Sequence, residues 1–174
     1  MLVGKKPTKL LPAASTVLRH HIATLTVTDQ SNMEKEEEEK KGLSHPAACP
    51  LCDQADETVQ HILVSCVFAW RAWTLILHEL GLPAIVPQPG CTRFSNWWCQ
   101  SIKSVEKNLR KGLNSLIILV AWEIWKHRNE CDFEGVVPCV QQVRHVVVEE
   151  GSVWCLAGAS ALQDLLLRRL PLGS

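Results

Sequence analysis

The chain has 174 residues, 47% of them hydrophobic and 21% charged, and its 18 basic and 18 acidic side chains cancel. That balance allows one packed domain, or a small module with a helical tail, and excludes a chain too polar to bury a core. A net charge of zero removes any argument from bulk charge for a nucleic-acid or membrane partner.

The first 28 residues carry Lys5, Lys6, Lys9 and Arg19 and no acid. Pro7 and Pro12 interrupt them, and they lack the apolar core of a secretory signal. Their basic, Ser/Thr-containing make-up is loosely that of an organellar transit peptide, a reading set aside because a first segment is easily over-read. Glu34 to Lys41 is a Glu/Lys run with no apolar face to bury. Residues 1–41 are therefore expected to be a disordered arm. No stretch reaches membrane-spanning length, the best candidate, Leu116 to Trp122, being stopped by Glu123. Without a secretory route the eight cysteines are expected to be thiols or metal ligands, and the chain intracellular, nuclear or cytoplasmic.

Gly42, Pro46 and Pro50 punctuate a loop over residues 42–57 that carries Cys49-Pro-Leu-Cys52. Asp56 is the expected N-cap of a helix, with Glu57 in its first turn. Ile62, Leu63, Cys66, Val67, Trp70, Trp73, Ile76, Leu77 and Leu80 then recur at three- and four-residue steps, and Gly81 and Pro83 end the run. A proline-rich loop fills residues 81–94. A second helical region follows Ser95, strongest from Val105 to Asn129, with Leu109, Leu113, Leu116, Ile117, Val120 and Ile124 on one face. Gly135 is its expected stop. Pro138 suits the start of a third helix carrying Val143, Val146, Val147 and Trp154, with Gly151 and Gly158 counting against its continuity. Val146 to Val148 also suit a strand, but no partner strand is evident. The expected fold is mainly α, with a small zinc module of three cysteines and one histidine leading into a helix, and two further helical segments. The zinc module spans residues 42–80 and the helical C-terminal region residues 95–165.

Cys49, Cys52, His61 and Cys66 follow the spacing C-x2-C, eight residues, H-x4-C. Two sulfurs from one tight turn can chelate a single ion, and three thiolates with one imidazole complete a tetrahedral set for Zn²⁺ with no position left for water. A closed site argues for structure or binding and against catalysis at the metal. His61 and Cys66, five apart, do not share a helical face unless the helix starts irregularly. The plain alternative is a set of free or buried thiols, and four Cys/His positions in eighteen residues argue against it. Cys91, Cys99, Cys131, Cys139 and Cys155 show no paired spacing and read as small core residues or free thiols. His127 and His145 have no evident partner, and His45 is a weak substitute ligand.

Gly42 to Trp73 resembles the reverse-transcriptase zinc-binding domain of plant LINE-type (non-LTR) retrotransposons. The resemblance rests on Cys49-Pro-Leu-Cys52, Glu57-Thr58, His61-Ile62, Cys66, Phe68-Ala69 and Trp73. Trp122-Glu-Ile-Trp125-Lys-His-Arg-Asn129, with Phe133 beyond, resembles the tail that follows this domain in such elements. The resemblance covers about residues 42–160 and leaves residues 1–40 outside it. It implies the C-terminal module of a larger polyprotein whose endonuclease and polymerase regions are not represented in this sequence. The chain is accordingly expected to be non-catalytic.

The zinc segment holds Asp53, Asp56 and Glu57 and no Lys or Arg, so it does not itself offer cations to phosphates. Lys103, Lys107, Arg110 and Lys111 lie at steps of four, three and one, on one face of the expected helix, and Lys126 and Arg128 add to the basic content. They are the candidate contacts for RNA or DNA, weighed against the commoner reading of a solvated helix face opposite Leu109, Leu113 and Leu116. Trp97, Trp98, Trp122 and Trp125 fit core packing better than base stacking. Zinc-dependent nucleic-acid binding is the expected function. The alternatives are a zinc-stapled protein-interaction module and a decayed fragment without selected function. No small-molecule substrate is indicated.

Overall fold

One helix whose middle turns are buried on every side, and the turns that bend the chain around it, set the architecture. The computed structural model describes residues 48–168. In chain order these form a π-helical turn, His61–Ser65; α1, Val67–Glu79; a 3₁₀ turn, Pro83–Ile85; α2, Phe94–Ser104; α3, Arg110–Phe133; α4, Val140–Leu156; and α5, Ser160–Leu166. No strand occurs among the described residues, only an isolated bridge between Ala48 and Asp56. The protein is thus mainly α, with a Cys/His cluster preceding the first α-helix. The expected disordered arm and His45 lie outside the described residues.

In α3 the six successive residues Leu116 to Ala121 are each at most 1% exposed. A helix apolar around its whole circumference belongs at the centre of a domain. Helices α2, α4 and α5 and the π-helical turn all pack on α3, and α4 packs also on α1 and α5. The expected face from Leu109 to Ile124 is buried throughout. Each such aliphatic side chain contributes about 1.5–3 kcal/mol when fully buried.

The single helix expected from Asp56 to Leu80 is broken at Cys66, whose ψ of 136° is extended. Helical backbone begins at Val59, and Thr58 rather than Asp56 caps it: the His61 N–H donates to Thr58 Oγ1 at 3.0 Å. Asp56 is taken by the bridge to Ala48. The Cys66 N–H reaches back five residues to the His61 carbonyl at 2.7 Å, which closes the wide turn. Helix α1 then buries Phe68, Ala69, Ala72, Trp73, Ile76 and Leu77 along one stripe. It ends as expected at Gly81, whose φ of 70° lets Gly81 N–H and Leu82 N–H return to the His78 and Leu77 carbonyls.

The helix expected over Val105–Asn129 starts five residues late. Residues 105–109 form the corner between α2 and α3, and the side chain of Arg110 caps the end of α2 by donating to the Lys103 and Val105 carbonyls, each at 3.3 Å. The two further helical segments expected from the sequence resolve into four helices. Val146 to Val148 are helical, not extended, and Gly151 sits buried inside a continuous α4. Chain reversal falls at Gly158, after which the short α5 folds back onto α3.

Trp73 of α1 and Phe94, Trp97 and Trp98 of α2 form one aromatic cluster. Trp73 and Trp97 stand 4.6 Å apart between ring centroids, and Phe94 lies 5.6 Å from both Trp97 and Trp98. Each buried indole has a partner: Trp73 Nε1–H donates to the Leu63 carbonyl and Trp97 Nε1–H to the Ile85 carbonyl, both at 2.8 Å. Trp122, by contrast, is partly exposed.

Candidate metal centre

The knuckle that carries the first two cysteines is shaped by its backbone. Cys52 N–H and Asp53 N–H both donate to the Cys49 carbonyl, at 3.2 and 2.8 Å, and Cys49 N–H donates to the Ala55 carbonyl at 2.9 Å. Asp53 adopts φ 53°, a left-handed position that a short polar side chain tolerates better than most. This tight reversal leaves the sulfurs of Cys49 and Cys52 on the same side as the π-helical turn.

On a regular α-helix His61 and Cys66 would point about 140° apart. The π-helical turn followed by the break at Cys66 removes that separation. The donor atoms of Cys49, Cys52, His61 and Cys66 all lie within 4.8 Å of one another, and Cys52 Sγ stands 3.2 Å from His61 Nε2. Sulfurs bound tetrahedrally to Zn²⁺ at about 2.3 Å stand about 3.8 Å apart, so the four donors need only a small inward adjustment to hold the ion. All four residues named from the spacing are thus brought together.

The electrostatics fit a cation as well. Burial pushes the Cys66 thiol up to about 12, even though the backbone N–H groups of Ala69 and Phe68 bond its sulfur. Burial also raises Cys49, against N–H bonds from Leu51 and Cys52. Burial lowers His61, against the pull of the Glu57 carboxylate. Without a metal, burial therefore keeps the Cys49 and Cys66 thiols protonated and the His61 ring neutral, so an incoming ion would have to displace the thiol protons. Three thiolates, one imidazole and no open position would give a bound zinc a structural role.

The chain around the donors is fastened to the rest of the fold. Arg128 of α3 grips Glu57 with Nε to Oε2 at 2.9 Å and a terminal nitrogen to Oε1 at 2.7 Å. Gln60 Oε1 accepts the Phe94 N–H at 2.6 Å, tying the turn to α2. His127, which has no partner recognisable in the sequence, stacks on Phe68 at 5.5 Å, accepts the Cys139 N–H at Nε2 (3.0 Å) and meets Glu130 through Nδ1 (3.2 Å). Because Nε2 accepts, the neutral ring carries its proton on Nδ1. Sequence reasoning misses both the Glu57–Arg128 pair and the partners of His127, although Glu57 and Arg128 lie inside the two segments that carry the family resemblance.

The expected basic face is split by the α2–α3 corner. Lys103 lies in the last turn of α2, Lys107 in the corner, and Arg110 and Lys111 begin α3. They are gathered at one corner rather than along one helix. Lys103, Lys107 and Lys111 are exposed and form no ion pair among the described residues. Arg110 is occupied with the carbonyls of α2. Lys126 and Arg128 do not add to this surface, since Lys126 pairs with Glu123 at 2.9 Å and Arg128 with Glu57 and Asp132. Among the described residues, no helix is long and apolar enough to cross a membrane.

Residues 6–73 match a family described as zinc-binding in reverse transcriptase. The match covers all four donors and less than half of the chain. It begins inside the segment that the sequence resemblance leaves out, and it stops short of Trp122–Asn129. No curated protein and no solved structure in the comparisons matches the chain.

Proposed function

We propose that this chain is a non-catalytic zinc module of reverse-transcriptase type that contacts nucleic acid through the α2–α3 corner. The convergence of three cysteine sulfurs and one imidazole within 4.8 Å carries the reading. Zn²⁺ held by Cys49, Cys52, His61 and Cys66 would supply structure, closing the knuckle against the turn that leads into α1. The centre itself carries net negative charge when filled, with Asp53 and Asp56 exposed beside it. Phosphate contacts therefore fall to the exposed Lys103, Lys107 and Lys111 rather than to the metal loop. An origin in a LINE-type element and a place inside the cell, in nucleus or cytoplasm, complete the reading.

A second reading, docking of a protein, is favoured by a largely apolar cleft of about 710 Å³ between α4 and α5, lined by Val148, Cys155, Leu156, Leu166 and Leu167 together with the polar Ser152 and Gln163. One series of measurements separates the two. Metal analysis of reduced protein is expected to give one zinc per chain, absent from the Cys49→Ser/Cys52→Ser double variant. Affinity for single-stranded RNA and DNA is then followed against salt. Nucleic-acid binding requires a negative slope that shrinks by about one for each phosphate no longer neutralised as Lys103, Lys107 and Lys111 become Ala. Absent zinc in the wild-type chain would sink the metal reading, and no measurable affinity at low salt would leave the protein-docking reading in its place.

A further inference from the structure

Glu57 and Arg128, 71 positions apart, are the most geometrically specific charged pair in the described residues. The guanidinium and carboxylate meet fork to fork, and the side chains are only 13% and 21% exposed for Arg128 and Glu57 respectively. Arg128 is held from behind as well. Its remaining nitrogen lies 3.0 Å from Asp132 and 3.1 Å from Asn129 Oδ1, and its guanidinium carbon is 5.8 Å from the centre of the Phe133 ring. The fork is therefore oriented by α3 itself before it engages Glu57.

Glu57 occupies a strategic point of the metal loop. It directly precedes Thr58, which caps the turn, and it stands four residues before His61. On the other side of Glu57, the chain is locked to the Cys49–Cys52 knuckle through Ala55 and Asp56. Glu57 is thus the junction between the half of the site that supplies two sulfurs and the half that supplies the imidazole.

We propose that Arg128 is a positioning residue of the metal centre: by gripping Glu57 it fixes the His61 turn against the Cys49–Cys52 knuckle and so raises zinc affinity from the central helix. The inference rests on the zinc reading above. The physical reason is the burial of Glu57 against α3. Without Arg128 the Glu57 carboxylate is left partly buried and unpaired, and it can regain hydration only by pulling the loop outward. Coupling of this kind is reciprocal, so bound zinc also tightens the hold of Glu57 on α3.

The test compares zinc affinity, by competition with a chromophoric chelator, in wild type, Arg128→Ala, Arg128→Lys, Glu57→Gln and the double variant Glu57→Gln/Arg128→Ala. The visible spectrum of the Co²⁺-loaded proteins reports the donor geometry. Arg128→Ala is expected to weaken zinc binding about tenfold, with a changed Co²⁺ spectrum. Arg128→Lys keeps the charge but not the fork and should recover only part of the loss. The double variant should bind no more weakly than Arg128→Ala, because the two residues act as one unit. Arg144→Ala is the control: it breaks the 2.6 Å bridge to Glu79 at the far end of α1 and should lower the melting temperature with zinc affinity unchanged. If Arg128→Ala does not fold, Arg128→Lys and Glu57→Gln carry the same comparison. Wild-type affinity in the folded Arg128 and Glu57 variants, or an equal loss in Arg144→Ala, overturns the proposal while leaving the zinc reading intact. A wild-type chain that takes up no zinc overturns both.

Discussion

Glu123 sits inside the hydrophobic centre of α3, 4% exposed, with the Lys126 ammonium 2.9 Å from its carboxylate. Burial raises its pKa above the usual carboxylate value of 4.5, and the hydrogen bond from Lys126 only partly opposes this. A carboxyl group whose folded pKa is raised favours the folded state fully below its unfolded pKa. That contribution is lost as pH rises through the folded value. Glu123→Gln removes the titration. Its stability relative to wild type should therefore rise between about pH 4 and about pH 7, as read by urea midpoints at both values. A constant difference across that range would show that burial does not govern this side chain. The same residue illustrates a limit of sequence reading. Along the chain Glu123 only marks the end of the longest apolar run, whereas the packing of α3 takes it inside.

At the level of elements, two glycines report how closely the helices approach. Gly112 of α3 faces the start of α5, and a Cβ there would fall on the Ala161 carbonyl oxygen. Gly151 of α4 has ordinary room, its added Cβ lying 3.4 Å from Leu166 Cδ1 and 3.6 Å from Leu119 Cδ2. The two substitutions by alanine should have opposite signs. Gly112→Ala is expected to cost about 1–3 kcal/mol by forcing α5 away from α3. Gly151→Ala should stabilise by about 0.5–1 kcal/mol through helix propensity. Denaturant midpoints of the two variants decide it, and a destabilised Gly151→Ala would contradict the packing of α4. From sequence alone Gly151 counts against a continuous helix, because propensity charges every mid-helix glycine alike. The neighbours that make one glycine dispensable and the other necessary belong to different elements.

For the whole molecule, the candidate metal centre and the helical core are separable in composition but joined by contacts. None of the four donors lies in α3, α4 or α5, whose own apolar residues make much of the core. Chelation should therefore lower the thermal midpoint by at least about 10 °C while most far-UV helical signal persists below the transition. Tryptophan fluorescence should shift, because Trp73 is anchored to the Leu63 carbonyl inside the metal-adjacent turn. Complete loss of helix on chelation would mean that the metal, not α3, nucleates the fold. The donor set, the apolar stripe of α1, the buried face of α3 and the mainly helical class were all legible in the sequence. Ligand chemistry is carried by residue type and short spacing, and helical burial by a period of 3.6. Tertiary structure alone decided the break at Cys66 that reconciles a five-residue spacing with one metal site. It also decided the corner that gathers the lysines, the partners of His127, and the grip of Arg128 on Glu57. Those features depend on which distant groups meet to satisfy buried charge and backbone polarity, and no local period in the chain records such meetings.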